Sequence, residues 1–441
     1  RSLGASSSAL CLTSYYGGDK PQLLVNDLAD RLAKGEVRMG VIAGGECLDT
    51  FMRASKLGRA PGGVKVRDAI GRQIGESASN LSKPLSWGDD RTVPDPVIVG
   101  HVERVASKQE AKHGLASPPN AYAILDQALR HNLGRNIHEH SRCNADLFSG
   151  FSEVAARDDY SWFPVSRSSN DLQTVSLDNR AVTQPGFPKY LNAFQDVDQA
   201  GAIIMTTVST ARTLGLPQER WVYLHGCAEA EEVPKYLTER PNLHRSQALR
   251  AVGEEVSRAA NIPLTRCEHF EIYSCFPVAV EVACRELGFD ESFRDGSKLT
   301  VLGGLPYHGG PGNSYAMLGI VAMCQKLRAK PGTFGLVTAN GGFLTKHSAG
   351  IYSTTPYTQT HPHASGWTRN DPTELQRKLE MEATSLAVAA APNGLGCVES
   401  CTVEYARDGP RRAIFIGKIL DGDDIGKRFI ANSNDKASID L

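Results

Sequence analysis

The sequence predicts an α/β fold made of two similar layered halves, followed by a small β-rich unit. Three observations predict it. Helix-like and strand-like runs alternate over residues 21–342. The strand-like runs at 39–43 and 334–338 lead into glycine turns, Gly44-Gly45 and Asn340-Gly341-Gly342. After Pro356 the pattern changes to a polar stretch, one helix and three alternating segments. Helix followed by buried strand is the grammar of an α/β layer, and alternating apolar and polar residues are that of antiparallel strands.

Along the first half, Pro21 opens a helix whose apolar stripe runs through Leu23, Leu24, Leu28 and Leu32, and Gly35 ends it. Residues 39–43 read as a short buried strand. Residues 53–167 read as a loop excursion, rich in Gly, Pro and charge up to 118 and helical over 119–157. Residues 158–188 are loop-like, 200–207 a buried strand, and 221–224 a further strand. Residues 1–230 form this N-terminal half. Over 231–356 the order recurs: helix 243–260, strand 269–273, helix 277–287, glycine-rich loop 303–312, helix 313–328 and strand 334–338. Residues 357–372 are polar, with His361, His363 and Trp367 close together. A helix over 373–390 and strands at 398–404, 413–419 and 428–431 make 366–441 an appended β-rich domain, with a barrel as one arrangement.

Composition narrows the functions. A chain of 441 residues with 41% hydrophobic and 22% charged residues can bury a sizeable core. A formal net charge of −1 gives no electrostatic case for nucleic acid or an anionic membrane. No apolar run reaches the roughly 18 residues of a membrane span. Ten cysteines are scattered, and only Cys397 and Cys401 are close, so they read as reduced thiols of an intracellular protein. The residues do not separate mitochondrion, peroxisome and cytoplasm. His138 and His140 lie two apart and would splay on a helix, so no metal site is expected there. The loop 303–312 lacks the lysine and spacing of a phosphate-binding loop.

Four segments carry chemistry in order. PQLLVNDLADRLAKGEVRMGVIAGGE over 21–46 is a helix and a strand ending in a Gly-Gly-Glu turn. Next come IYSCF at 272–276, GGLPYHGGPG at 303–312 and TANGG at 338–342. The set resembles the thiolase superfamily: the segment after the nucleophile, the HDCF motif of sterol-carrier-protein thiolases, the GGxxxxGHPxG loop and the CxG motif. The tail, with NGGFLTKHSAGIYSTTP at 340–356, resembles thiolase-like proteins with an extra C-terminal domain, often labelled acetyl-CoA acetyltransferases. The resemblance implies a duplicated αβαβα layered fold, acyltransferase chemistry in lipid metabolism, an acyl-CoA thioester as ligand or substrate, and no other cofactor. It also implies a longer segment before the nucleophile loop than residues 1–17, so an N-terminal portion is expected to be absent from this sequence.

Thiolase chemistry needs a thiolate to take the acyl group, a histidine to activate it and a second cysteine as acid and base. Carried over by motif, these positions fall on Gly18 (Gly17 if the loop slips by one), Gly310 and Thr338. The HDCF histidine falls on Tyr273. The reactive side chains are therefore replaced, and Tyr273, His308 and Cys275 remain as candidates, with Cys11 as a displaced nucleophile. Backbone N–H groups at Gly18 and Gly341 still suit a thioester oxygen, because an oxyanion hole needs no side chain. Gly18, Tyr273, Gly310, Asn340 and Gly341 are the expected binding set. Two readings follow: binding of an acyl-CoA, with altered acyl transfer if any, or a silent scaffold that joins a protein partner or a second copy.

Overall fold

The structure is a computed structural model that describes residues 11–56, 97–99, 104–289 and 295–439. The expected excursion falls partly outside them, at 57–96 and 100–103.

A four-stranded sheet lies at the centre, in the order β6 (Tyr223–Glu231), β9 (Lys346–Ser353), β8 (Phe334–Gly341) and β7 (His269–Glu271). β8 pairs in parallel with β7 and antiparallel with β9. Every residue of β8 and β9 is buried. β8 reads as a strand because its sequence is largely apolar. β9 is hydrophilic at its start, and each polar side chain there finds a partner. Lys346 Nζ lies 3.7 Å from Glu231, His347 Nε2 is 3.1 Å from Ser246 Oγ, and Ser348 Oγ donates to the Asp19 carbonyl at 2.8 Å. Buried polar groups are tolerated when paired in this way.

The Lys20–Ala33 helix and the Tyr315–Ala329 helix pack on one side of this sheet, with Val25, Ile320, Met323 and Val337 in one cluster. The larger core joins the Pro118–Asn132, Ile137–Ala155, Gln247–Ala260 and Pro277–Glu286 helices, and includes Leu125, Phe151, Val256 and Val280. No helix among the described residues is long and apolar enough to cross a membrane.

Three expectations are corrected. β2 (Met39–Cys47) and β5 (Asp198–Thr206) pair only with each other among the described residues, and they are not buried strands. Ile42 faces the core, while Val41 is 53% and Ile204 68% exposed. The helix expected over 373–390 is Pro372–Glu382, because Ala383 turns extended. Residues 387–389 then run beside β12 (Arg428–Ser433), with Arg428 N donating to the Ala387 carbonyl and Ala389 N to that of Arg428. The C-terminal strands form an open antiparallel sheet, not a closed barrel. Its order is β12, β11 (Gly409–Ile419), β10 (Gly396–Ala406) and β4 (Thr183–Gln184). The last of these comes from far upstream in the chain, and the Pro118–Asn132 helix packs against β10.

Candidate functional site

Three glycine-bearing loops meet at the N-terminus of the Lys20–Ala33 helix. A Cβ at Gly18 would overlap both the Tyr273 hydroxyl and the Asn340 carbonyl oxygen. A Cβ at Gly341 would overlap Asp19 Oδ1. The structure therefore brings Gly18, Tyr273, Asn340 and Gly341 together, and the Tyr273 hydroxyl stands where a side chain at position 18 would begin. The third loop arrives through Asn313. Gly17 N donates to Asn313 Oδ1 at 2.8 Å, and Asn313 Nδ2 donates to the Tyr15 carbonyl at 2.9 Å.

Gly310 faces elsewhere. Its N–H donates to the Phe194 carbonyl at 2.7 Å, and a Cβ there would lie 3.2 Å from that oxygen and from Leu305 Cδ2. Its connection to the Gly17–Gly18 loop runs along the chain to Asn313. His308 is buried, with Nδ1 3.3 Å from both Asp158 Oδ2 and Ser161 Oγ. Its ring meets Tyr315 edge-on at 6.3 Å, and Tyr315 meets Tyr273 edge-on at 5.6 Å. His308 thus stands one aromatic ring behind Tyr273.

Beneath Tyr273 lies a buried carboxyl. Glu271 accepts from Tyr315 Oη at 2.7 Å, Thr300 Oγ1 at 2.9 Å, Val301 N at 2.8 Å and Leu302 N at 3.1 Å. Burial pushes its pKa up, and these four donors work against that rise. Thr338 is spent on the backbone, where its Oγ1 accepts from Tyr273 N at 3.0 Å. It holds the strand end in place and has no group to serve as an acid or base near neutral pH.

Cys275 is buried, and its pKa is pushed up to about 12 by that burial, against hydrogen bonds from its neighbours. Such a thiol stays protonated at neutral pH and is a poor nucleophile. Its Sγ lies 3.8 Å from Asn340 Nδ2, which also donates to Tyr122 Oη at 2.9 Å. Tyr122 in turn donates to the Gly342 carbonyl at 3.0 Å and accepts from Leu344 N at 3.3 Å. One hydroxyl thereby fixes three points of the 340–344 turn. Cys11 is exposed at the start of β1 (Leu12–Ser14), where its carbonyl accepts from Val97 N.

Residues 374–441 match the family described as the thiolase-like protein type 1 additional C-terminal domain. The crystal structure of a monomeric SCP2-thiolase-like protein type 1 from Mycobacterium smegmatis is similar over 96% of this chain and 76% of its own, with 32% identity and a TM-score of 0.75. The chain belongs to the thiolase-like protein type 1 family. The Ltp2-ChsH2(DUF35) aldolase shares the fold at 18% identity and a TM-score of 0.54, over 77% of this chain and 78% of its own. The dimeric peroxisomal thiolase of Saccharomyces cerevisiae gives 15% identity and a TM-score of 0.48, over 77% and 75%. No curated protein matches the chain.

In this thiolase-like chain the candidate site brings the Tyr273 hydroxyl, the Asn340 carbonyl and the Asp19 carboxyl against Gly18 and Gly341. Sequence reasoning missed Asp19 and Lys20, which form a buried ion pair at 2.9 Å directly after Gly18. It also missed Tyr122, Glu271 and Asn313. Two opposite charges right after Gly-Gly at a helix start were the available signal for the first pair. For Tyr122 the signal was a phenol inside an apolar helical run, which needs a partner when buried. Among the described residues no group of three His, Cys, Asp or Glu side chains is placed to hold a metal. His140 is taken up by Asp126 at 2.9 Å and Arg135 at 3.2 Å.

Proposed function

We propose that this chain binds the thioester end of an acyl-CoA beside Tyr273 and does not take the acyl group onto a thiolate. One observation carries the reading: the Tyr273 hydroxyl occupies the space of a side chain at position 18, between the loops that bear Gly18 and Asn340-Gly341. A hydroxyl at that point can hydrogen-bond a ligand carbonyl. The groups that would make a covalent intermediate are missing from the positions that the motifs assign to them. Gly18 has no nucleophile, Cys275 is a buried protonated thiol, and Thr338 is engaged by Tyr273 N. Any acyl transfer here would need a route that does not use a thiolate at position 18.

Calorimetry with acetyl-CoA and with free coenzyme A tests this, paired with the intact mass after incubation with acetyl-CoA. Binding without a mass increase is expected. Tyr273→Phe should weaken the thioester by about fivefold, the worth of one hydrogen bond, and leave free coenzyme A unchanged. An acetyl adduct on the protein, or turnover of acetoacetyl-CoA at roughly 1 per second or more, would overturn the reading. If neither ligand binds at millimolar concentration, the chain is better described as a scaffold for a protein partner.

A further inference from the structure

We infer that the C-terminal unit holds the 340–345 turn of the candidate site in position through two separate relays, with Arg428 and Tyr122 as the positioning residues. The bearing of this turn on a ligand rests on the function proposed above; the relays themselves do not.

The first relay starts in β12. Arg428 is 1% exposed and its Nε donates to Glu399 Oε2 of β10 at 2.8 Å. Its Nη1 donates to the carbonyls of Thr238 at 3.1 Å and Arg240 at 2.6 Å, which belong to the body of the protein. The same short stretch is gripped from the other side by Glu110, whose Oε1 accepts from Thr238 N at 2.8 Å and Thr238 Oγ1 at 2.9 Å. Held there, Arg240 sends its own buried guanidinium to the turn. Nη1 donates to the Phe343 carbonyl at 2.8 Å and Nη2 to Thr345 Oγ1 at 2.8 Å. One arginine thus fixes the backbone that aims another.

The second relay starts in β10. Ser400 Oγ donates to the Ile124 carbonyl at 2.7 Å and ties that strand to the Pro118–Asn132 helix. Tyr122, half a turn earlier on the helix, stacks on Phe276 at 4.4 Å. Its hydroxyl then reaches the turn at Gly342 O, Leu344 N and Asn340 Nδ2. The one hydroxyl meets all three of these groups, with the Cys275 thiol beside it as a further partner. The two relays leave the C-terminal sheet from different strands and arrive on interleaved positions: Asn340, Gly342 and Leu344 from one, Phe343 and Thr345 from the other. A helix and a buried arginine are stiff links, so a change in how the C-terminal sheet docks reaches the turn that also flanks Gly18 and Tyr273.

The test is hydrogen exchange of the full chain without ligand, read on peptides covering 340–346, 238–241 and 396–433. Tyr122→Phe keeps the stacked ring and removes only the hydroxyl. Exchange in 340–346 should rise about tenfold, on the scale of one to two lost hydrogen bonds, with 396–433 unchanged. Ser400→Ala, a mild change distant from the site, should raise 340–346 about threefold to fivefold. Arg428→Met should raise both 238–241 and 340–346. If that variant does not fold, the other two decide. For Tyr122→Phe, whose ring lies outside all three peptides, a merely structural role would speed exchange in all three regions together, and that outcome overturns the proposal. So does unchanged exchange in 340–346 for folded Tyr122→Phe and Ser400→Ala. Acetyl-CoA titration of the same preparations separates the two readings. A wild-type chain that binds nothing sinks the ligand reading, while the exchange data alone decide the relays.

Discussion

A Cβ at position 18 would overlap both a side-chain hydroxyl and a backbone carbonyl, and the second overlap governs what repair of the site can achieve. Tyr273 could rotate or be replaced. The Asn340 carbonyl sits in β8, which pairs with β9 across Asn340↔His347, and it has nowhere to go. The glycine is therefore required by the close approach of helix start and strand end. Gly18→Cys should destabilise the chain by about 1–3 kcal/mol, as overpacking of a tight contact does. It should not restore cleavage of acetoacetyl-CoA, and Gly18→Cys with Tyr273→His should not either. Urea melts and a thioester cleavage assay on both variants check this. Thiolysis well above background in either would show that the loop can open to seat a nucleophile. The four segments that resemble thiolase motifs made Gly18, Tyr273, Asn340 and Gly341 legible, since each is tied to a turn with its own residue pattern. Asp19, Lys20 and Glu271 were not legible, because a charge in the sequence reads as surface until its burial is seen.

At the scale of elements, the central sheet buries three histidines, His225, His269 and His347, that a pattern of apolar residues does not reveal. β9 went unread because Lys346, His347 and Ser348 look like a solvated loop, and their partners come from residues 231, 246 and 19. Burial lowers the pKa of His347 from 6.5 to about 3 and that of His225 in β6 to about 4. Facing His347 are Ser246, bonded to Glu232, and the Arg240 guanidinium, whose charge adds to the lowering. Both rings are neutral in the folded chain near neutral pH. Once unfolded they take up protons below pH 6.5, so the unfolded state binds more protons between about pH 6.5 and the folded values. Stability is then full above pH 6.5 and falls as the pH drops through that window, by up to about 1.4 kcal/mol per pH unit for each histidine. Replacing His347 by Gln should reduce the loss of unfolding free energy between pH 7 and pH 5 by about 2 kcal/mol, measured by urea titration at both values. An equal pH dependence in wild type and variant would mean that His347 is protonated in the folded chain.

For the molecule as a whole, the C-terminal strands are legible in the sequence, but their attachment is not, because it depends on pairs far apart in the chain. β4 lies more than 200 residues before its partner β10, with Val403 opposite Gln184 and Glu404 opposite Thr183. The Pro118–Asn132 helix lies against the same strand, and Ile414, Ile416 and Ile430 of the sheet belong to the main hydrophobic core. Arg428 adds a charge that is buried only because Glu399 and two body carbonyls receive it. If the C-terminal unit melted by itself, it would strip β4 of its partner and open that core. It would also leave the Thr238 and Arg240 carbonyls unbound, at a cost of about 1–3 kcal/mol for each group that stays buried. These losses are large beside a typical folding free energy of about 5–15 kcal/mol. Separate melting is therefore disfavoured, and scanning calorimetry should show one transition for the full chain, with calorimetric and van't Hoff enthalpies in agreement. Arg428→Met should lower the midpoint of that single transition, since it takes the partner from the Thr238 and Arg240 carbonyls, at about 1–3 kcal/mol for each that stays buried. Two resolved peaks in the wild type, or an Arg428→Met variant whose only change is an early peak from the C-terminal unit, would show that the unit is a separate body resting on the thiolase-like core.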